Sequence, residues 1–552
     1  MAPRSRAHAI TVQGGRTGAW LEEIPVIRSQ QPGVAVDCKI IKAHVVKRLL
    51  LAAVILAILS SSRRAFAGQS APANEARTFM SYGLTQTAFP GLLAAHHKAR
   101  NGLYACTAND MTHNAAVGAW KGTWTNDTYF GLHGMLYVGD AKQQEIYKAE
   151  LEKVAKNVPL TGRMAGYVPF CTPADGRGAR LNQWWGSDYD RRCEFILEVV
   201  TVYEASGDAI FLRRLLPICH VILDNLGSER DDPDHDLLLE GRTLPLGFKG
   251  VGSCASCTYI GDTVKNDWKD FGASMFFYHA LIKLAQVEDI VGEEAEAVEH
   301  RSHAQKLKER IRAVFWNRQN GGFTAWIEKS GQRHEDWITG NNFHAAMCGL
   351  ASAEQSNRII QTFRAHKTEL VDVVPGRVRI GLFLDGYCSD GPEHYWNGGC
   401  WVVTTGPMMI VLARRGEWSL LSDIVDRLCN RTKMDDYGFN ECYNGQTGVP
   451  ENAPGLYMNN GGFLWGIFAG VFGVDFDGDD LVLRTTIDAK FLPARAKLFY
   501  RGRDITFLWR KAAAVSVSVD GRPSKIGRDG MCRLRLPLVS SAASLIEVTL
   551  PE

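Results

Sequence analysis

The sequence predicts a mainly α fold, a toroid of helical hairpins followed by a small C-terminal antiparallel β domain. Three observations predict it. Apolar residues recur at spacings of three and four over most of the chain between Asn74 and Val474. The connections between those segments alternate between short and long. After Val474 the pattern changes to the period-two alternation of strands, with turn residues between them.

Taken in order, the first stretch is read as targeting sequence. Lys47 and Arg48 precede the apolar run Leu49–Leu59, and Ala65-Phe66-Ala67 then meets Gly68. A basic start, an apolar middle and a small-x-small site describe a secretory signal peptide. The run is shorter than the ~20 residues a membrane span needs. Arg63 and Arg64 interrupt the usual spacing, and the residues before Lys47 carry no pattern, so the translation start is expected near Val45 or Val46. Residues 1–67 are therefore read as an N-terminal extension and signal peptide. The protein is expected in the periplasm or secreted, with no integral membrane domain unless that segment stays uncleaved.

Residues 68–475 form the expected catalytic domain. Segments 191–205, 209–225, 269–287, 297–315, 355–366, 401–414 and 417–430 read as helices. Between them lie long connections rich in Gly, Trp, Asn and Asp, at 158–190, 227–266, 367–400 and 434–459. Long loops inside a compact domain are functional or disordered, and these hold too many aromatics for disorder. Pairing of helices through alternating short and long connections gives a toroid with one tidy end and one functional end. Residues 476–552 are the expected β-rich domain, with strand patterns at 481–484, 496–500, 505–509 and 515–519.

The formal net charge of +2 gives no field of one sign to hold nucleic acid, so no nucleic-acid partner is expected. Of thirteen Cys, twelve follow the expected cleavage site, and export would permit disulfides. Cys193, Cys219, Cys348 and Cys429 lie in apolar helical patterns and read as buried thiols. Cys254 and Cys257 form a lone C-x-x-C without the second pair that a zinc site needs.

Four stretches carry chemistry, and each sits where a loop meets a helix. They are Trp124 to Phe130 with Asp127, Asn266 to Gly272 with Asp267, Trp268 and Asp270, Tyr395 to Trp401, and Gly438 to Gly448 around Glu441. Such junctions lie on one rim of a toroid, so residues distant in sequence can meet there. Paired carboxylates beside aromatics are what glycoside hydrolysis uses. One protonated acid donates to the leaving oxygen, and a second, ionised carboxylate activates water. Asp267 fits the acid and Glu441 the base, with Asp270 as the alternative acid. Trp and Tyr faces pack on sugar rings. For each residue a plainer role competes: Asp127, Asp188, Asp190, Asp267 and Asn341 can cap helices, Trp124, Trp184, Trp185, Trp268, Trp396 and Trp401 can be core, and Glu441 can be an exposed loop residue.

The motifs YWNGGCW, FNECYNGQTG and WTNDTYF resemble those of the inverting (α/α)6-barrel glycoside hydrolases, particularly glycoside hydrolase family 63 with the related mannosylglycerate hydrolases and trehalases. Tyr395, Trp396, Gly398 and Trp401 match that family's pocket-lining Tyr-Trp-x-Gly-x-x-Trp. Glu441, Tyr443, Thr447 and Gly448 match its base-bearing Glu-x-Tyr-x-x-x-Thr-Gly. Asp127 falls where relatives bind the terminal sugar. NDWKD departs from the family's Gly-x-Asp context and is similar instead to the acid motif of family 94 phosphorylases. The resemblance covers about residues 90–475. It implies a carbohydrate substrate, bound by Asp127, Trp396, Trp401 and Tyr443, an α linkage, inversion through Asp267 and Glu441, and neither metal nor organic cofactor; Trp124, Trp185, Asp188, Trp268 and Asn341 are further candidate contacts from their place at the same rim. A disaccharide phosphorylase is the nearest rival and would need a phosphate pocket in place of the base. An epimerase or lyase would centre on His344 or His394. An inactive carbohydrate-binding protein would keep the Trp platform and lose the carboxylate pair.

Overall fold

A computed structural model describes residues 82–551, apart from 109–111, 163, 177–188, 229–231, 242–262, 265, 267, 385 and 537–542. Residues 76–552 group as one compact unit.

Thirteen α-helices are found among the described residues: α1 (Leu92–Cys106), α2 (Thr125–Val138), α3 (Ala141–Ala155), α4 (Tyr189–Ser206), α5 (Ala209–Leu226), α6 (Phe271–Val291), α7 (Glu294–Phe315), α8 (Thr339–Met347), α9 (Ala353–Ala365), the short α10 (Lys367–Val371), α11 (Thr405–Arg414), α12 (Trp418–Thr432) and α13 (Tyr457–Trp465). Helices α2, α4, α6, α8, α11 and α13 touch one another in that order, and α13 returns to α2, which closes a ring of six. The other long helices lie outside it. Helix α3 packs on α2 and α4, α5 on α4 and α6, α7 on α6, α9 on α8, α12 on α11, and α1 on α13 and α12.

The two sets differ in sequence because they differ in surroundings. In α4 every residue but the last is buried, so no polar face exists to mark the helix. In α12 only one stripe, including Leu420, Leu421, Ile424, Val425 and Leu428, faces inward, which is the amphipathic pattern of a surface helix. The ring closes on small residues. A Cβ on Gly461 of α13 would overlap the Phe130 carbonyl and the Cα of Gly131 on α2, so only glycine lets these two backbones come so close.

Five ring helices, α2, α4, α6, α8 and α11, are each followed by an outer helix that packs back on them, while α13 is backed by α1 and runs parallel to α2, so the ring helices present their N-termini at one rim. Connections at the opposite end are tight. Gly139 and Asp140 join α2 to α3, Gly207 and Asp208 join α4 to α5, and Gly292 and Glu293 join α6 to α7. Asp140 caps α3 through the Gln143 N–H, and Asp208 caps α5 through the N–H groups of Ile210 and Phe211. The connections that reach the rim are the long ones.

Among the described residues one strand, β1 (Gly83–Thr87), precedes the helices, and eight follow them: β2 (Val474–Asp477), β3 (Asp480–Arg484), β4 (Ala494–Tyr500), β5 (Arg503–Lys511), β6 (Ser516–Val519), β7 (Arg522–Pro523), β8 (Met531–Leu534) and β9 (Ser544–Leu550). They form a six-stranded sheet in the order β1-β4-β5-β9-β6-β7 and a three-stranded sheet β2-β3-β8. Two features depart from the sequence reading. Strand β1, from before the helices, is the outer strand of the large sheet, so that sheet is not built from residues 476–552 alone. Strands β5 and β9 pair in parallel, which the long return through β6, β7 and β8 permits. No helix among the described residues is long and apolar enough to cross a membrane. Cys193, Cys219 and Cys429 are buried free thiols and Cys348 a half-buried one; Cys254 and Cys257 lie outside the described residues.

Candidate active site

The rim is assembled from the starts of the ring helices and the loops before them. Glu441 sits in the loop between α12 and α13. The next two residues, Cys442 and Tyr443, pair with Pro450 and Glu451 as a hairpin. Asn444 closes its turn by accepting from the N–H groups of Gln446 and Thr447 and from the Thr447 hydroxyl. Gly448 continues it with φ of 68°, a left-handed conformation that favours glycine.

This hairpin is joined to the YWNGGCW stretch by two backbone hydrogen bonds. Cys400 N–H donates to the Tyr443 carbonyl at 2.8 Å, and Tyr443 N–H to the Cys400 carbonyl at 3.0 Å. The two motifs, well separated in sequence, are therefore one structural piece. Gly445 N–H also donates to the Glu393 carbonyl at 2.7 Å.

Glu441 is 6% exposed. Its Oε2 accepts from the Ala453 N–H at 3.2 Å, and its Oε1 from the Tyr395 hydroxyl at 3.3 Å. The side chain of Asn459, in the first turn of α13, donates to the backbone carbonyls of Asn440 and Glu441. The carboxylate is thus held at both oxygens and its backbone is tied to a ring helix. A solvated loop Glu has neither restraint.

Asp127 lies in the first turn of α2 and is half-buried. Burial pushes its carboxyl well above the usual range. Repulsion from Glu441 and Glu194 adds to this, and the Arg191 guanidinium opposes it. Arg191 itself lies over the Phe170 ring, 4.0 Å from its centroid, and Phe170 meets Trp124 edge-on at 4.7 Å.

The tryptophans of the second motif stack on each other. Trp396 and Trp401 are parallel to within 10° at 4.3 Å, with Tyr395 edge-on to both. They are 5% and 3% exposed, so they form a wall whose broad faces are spent on each other. The Trp401 indole N–H is buried with no acceptor among the described residues. Tyr395, which carries the hydroxyl that reaches Glu441, has φ of 44°. A non-glycine residue there is strained and held by its surroundings.

Other expected site residues take different places. Tyr443 is fully buried; its hydroxyl donates to Asp435 at 2.7 Å and accepts from the Asn440 N–H, with Arg431 over its ring. It supports the turn from beneath. Asp270 caps α6 through the Ala273 N–H, accepts from Asn266, and is pushed up to about 7 by burial. Trp268 is half-buried with φ of 57°, in a short strand between Glu240–Gly241 and Trp326–Ile327. Asn341 is buried in the first turn of α8. Asp190, in the first turn of α4, is fully buried and pushed well above its usual range by burial and by Glu194. His344 is buried in the body of the ring beside His279, at 3.1 Å between ring nitrogens, and His394 pairs with Glu451. Asp267, Trp184, Trp185 and Asp188 lie outside the described residues.

Arg191 and Glu194 join this site without having been singled out for it. Tyr395 matches the pocket-lining motif, though not as a partner of Glu441. Arg191 and Glu194 sat in an all-buried helix and carried no signal beyond being charges among apolar residues.

Residues 259–465 match the model of the mannosylglycerate hydrolase MGH1-like glycoside hydrolase domain. Among solved structures, a GH78 family rhamnosidase of Bacillus sp. GL1 superposes with a TM-score of 0.53 at 15% identity, covering 86% of this chain and 44% of that one. The chain thus spans less than half the length of that rhamnosidase. A GH63 mannosylglycerate hydrolase from Thermus thermophilus, in complex with Tris and D-glycerate, gives 0.52 at 14% identity over 67% of this chain and 99% of its own. A rhamnosidase from Klebsiella oxytoca with rhamnose bound gives 0.51 at 12% identity over 71% and 66%. At these identities the likeness to solved structures is one of fold. No curated protein matches the chain. By family model over 259–465, and by fold over a larger part, the chain resembles the GH63-type glycoside hydrolases that include mannosylglycerate hydrolase.

Proposed function

We propose that the ring and its outer helices are an (α/α)6 toroid and that the protein is an exported glycoside hydrolase. It would cleave an α-linked di- or oligosaccharide with inversion. Glu441 takes a proton from a water that attacks the anomeric carbon, and Asp267 gives a proton to the departing oxygen from the opposite face. Inversion needs the two carboxyl groups roughly 6.5–9.5 Å apart to admit that water. Asp127, whose carboxyl is pushed up by burial and by Glu441, stands beside the base as a contact to a sugar hydroxyl.

The observation that carries this reading is the setting of Glu441. A nearly buried carboxylate, held at both oxygens, stands on the functional rim next to a second carboxylate and an aromatic wall. It does so inside the segment that matches a glycoside hydrolase domain. Substrates named for the similar structures, mannosylglycerate and rhamnosides, are the first to try.

The test is sugar release from a panel of α-linked di- and oligosaccharides, mannosylglycerate and α-rhamnosides, with the product anomer read by proton NMR. Turnover without phosphate, with a first-formed product of inverted anomer and loss in both Glu441→Gln and Asp267→Asn, is the expected result. Strict dependence on phosphate would establish the phosphorylase instead. Sugar binding without turnover would establish a carbohydrate-binding protein. Full activity in both variants would overturn the site assignment.

A further inference from the structure

Beside the connection between α6 and α7, four side chains converge: His220 from the body of α5, Glu288 near the end of α6, Glu293 in the connection itself and His300 on α7. His220 Nε2 lies 2.8 Å from Glu288 Oε1 and 3.7 Å from Glu293 Oε2. His300 Nδ1 lies 2.9 Å from Glu288 Oε2. Glu288 is fully buried, while His220 is 26% and Glu293 33% exposed, so the cluster has a solid floor and an open side.

From these residues we infer a site for one divalent transition-metal ion, Zn2+ or a chemically similar ion, ligated by His220, Glu288 and Glu293, with His300 holding Glu288 from behind. The donor atoms of His220, Glu288 and Glu293 lie within 4.8 Å of one another. Around a tetrahedral zinc with bonds of about 2.0–2.2 Å, donor atoms stand about 3.4 Å apart. The observed 2.8 and 3.7 Å bracket that spacing, so small side-chain rotations would suffice.

The simpler account is a set of ion pairs in which both imidazoles donate to Glu288. One observation exceeds it. Glu293 Oε2 is buried as an atom, has no hydrogen-bond partner among the described residues, and is aimed at a ring nitrogen too distant to bond to. An imidazole nitrogen beside two carboxylates suits zinc, cobalt or nickel better than calcium or magnesium, which take oxygen donors. The ion would staple two neighbouring hairpins of the ring at the end away from the rim, so its role is structural. Zinc displaces the imidazole protons, so binding tightens as pH rises.

The test uses the full chain stripped with a chelator and titrated with Zn2+ by calorimetry, with melting followed in parallel. Wild type should bind one equivalent that His220→Ala and Glu293→Gln each weaken by about tenfold or more. That equivalent should raise Tm by several degrees and bind more tightly at pH 8 than at pH 6. Cobalt at the site should show visible d–d bands without a thiolate charge-transfer band, which separates it from ions on the cysteines. Glu293→Gln alters a half-exposed position whose side chain caps no helix, so the fold survives the change. The inference is overturned if wild type and both variants bind zinc alike, or if wild type melts at the same temperature with and without zinc.

Discussion

The two ends of the helical ring are built from the same six helices and have opposite characters. At the far end the connections of α2, α4 and α6 are two residues long and are held by caps such as Asp140 and Asp208. That end also encloses a cavity of about 620 Å3 lined by, among others, His133, His279, Lys283 and Arg414, over which β2, β3 and β8 are laid. Lys283 is paired there with Glu204 and Arg414 with Asp475. At the rim the connections are long, backbone strain collects at Trp268, Glu393 and Tyr395, and carboxylates stand close enough to oppose each other's ionisation. Strain and like-charge proximity lower stability and persist where function requires them. The difference teaches that one end holds the helices in place so that the other can carry an unfavourable arrangement.

The sharpest way to break this comparison is to remove a charge at each end and ask what fails. Glu441→Gln should lower kcat by about a thousandfold or more, close to 4 kcal/mol in activation free energy, with Tm within a few degrees of wild type or above it. Steady-state kinetics on the best substrate of the panel, beside calorimetric melting, would show it. A variant that lost stability and kept its rate would assign Glu441 to the fold and erase the distinction between the ends.

Much of this arrangement was legible in the sequence, for reasons that can be traced. The outer helices α5, α9 and α12 carry an apolar stripe and a polar face, so their periodicity marks them. The ring helices α2, α8 and α13 are buried on nearly all sides and lack that contrast. Helix α13 reads simply as a glycine-rich apolar stretch, because Gly461 and Gly462 serve close packing there. The rim motifs were visible because turn chemistry and aromatics are local properties. That Glu441 meets Tyr395, and that Asp127 comes near enough to feel it, depends on closing the ring between its first and last helices, which no local pattern encodes. The same holds for β1, whose five residues find their partner strand at Ala494–Tyr500 only after the whole helical domain has folded.

At the far end the corresponding change is Asp208→Ala. It removes the acceptor for the N–H groups of Ile210 and Phe211 and one partner of Lys148. Loss of such a cap costs about 1 kcal/mol, and loss of the part-buried pair with Lys148, which keeps Glu145, adds to it. Denaturant unfolding should register the loss, and kcat on the same substrate should be unchanged. A drop in kcat of tenfold or more, with stability intact, would mean that the two ends are coupled through α4 and would weaken the comparison.

The smallest expected effect locates the boundary between the ends. Asp190, Glu194 and Glu198 are buried and recur at every fourth position along α4, leading from the rim into the ring. Burial pushes Glu198 well above the usual carboxyl range, and repulsion from Glu194 and Glu150 adds to it. One Glu198 oxygen is buried with no hydrogen-bond partner among the described residues. Below the unfolded carboxyl value, about 4.3, both states are protonated and the group is neutral in effect. As pH rises past that value the unfolded chain releases its proton while the folded chain retains it, so stability falls until the folded pKa is passed. Glu198→Gln removes that loss. Its unfolding midpoint in urea should therefore exceed that of wild type by more at pH 8 than at pH 5. Equal changes at both values would show that Glu198 is ionised in the fold and held by donors, which would extend the paired-charge character of the far end halfway up α4. A gain confined to high pH would instead extend the strained, proton-holding character of the rim down to the same point.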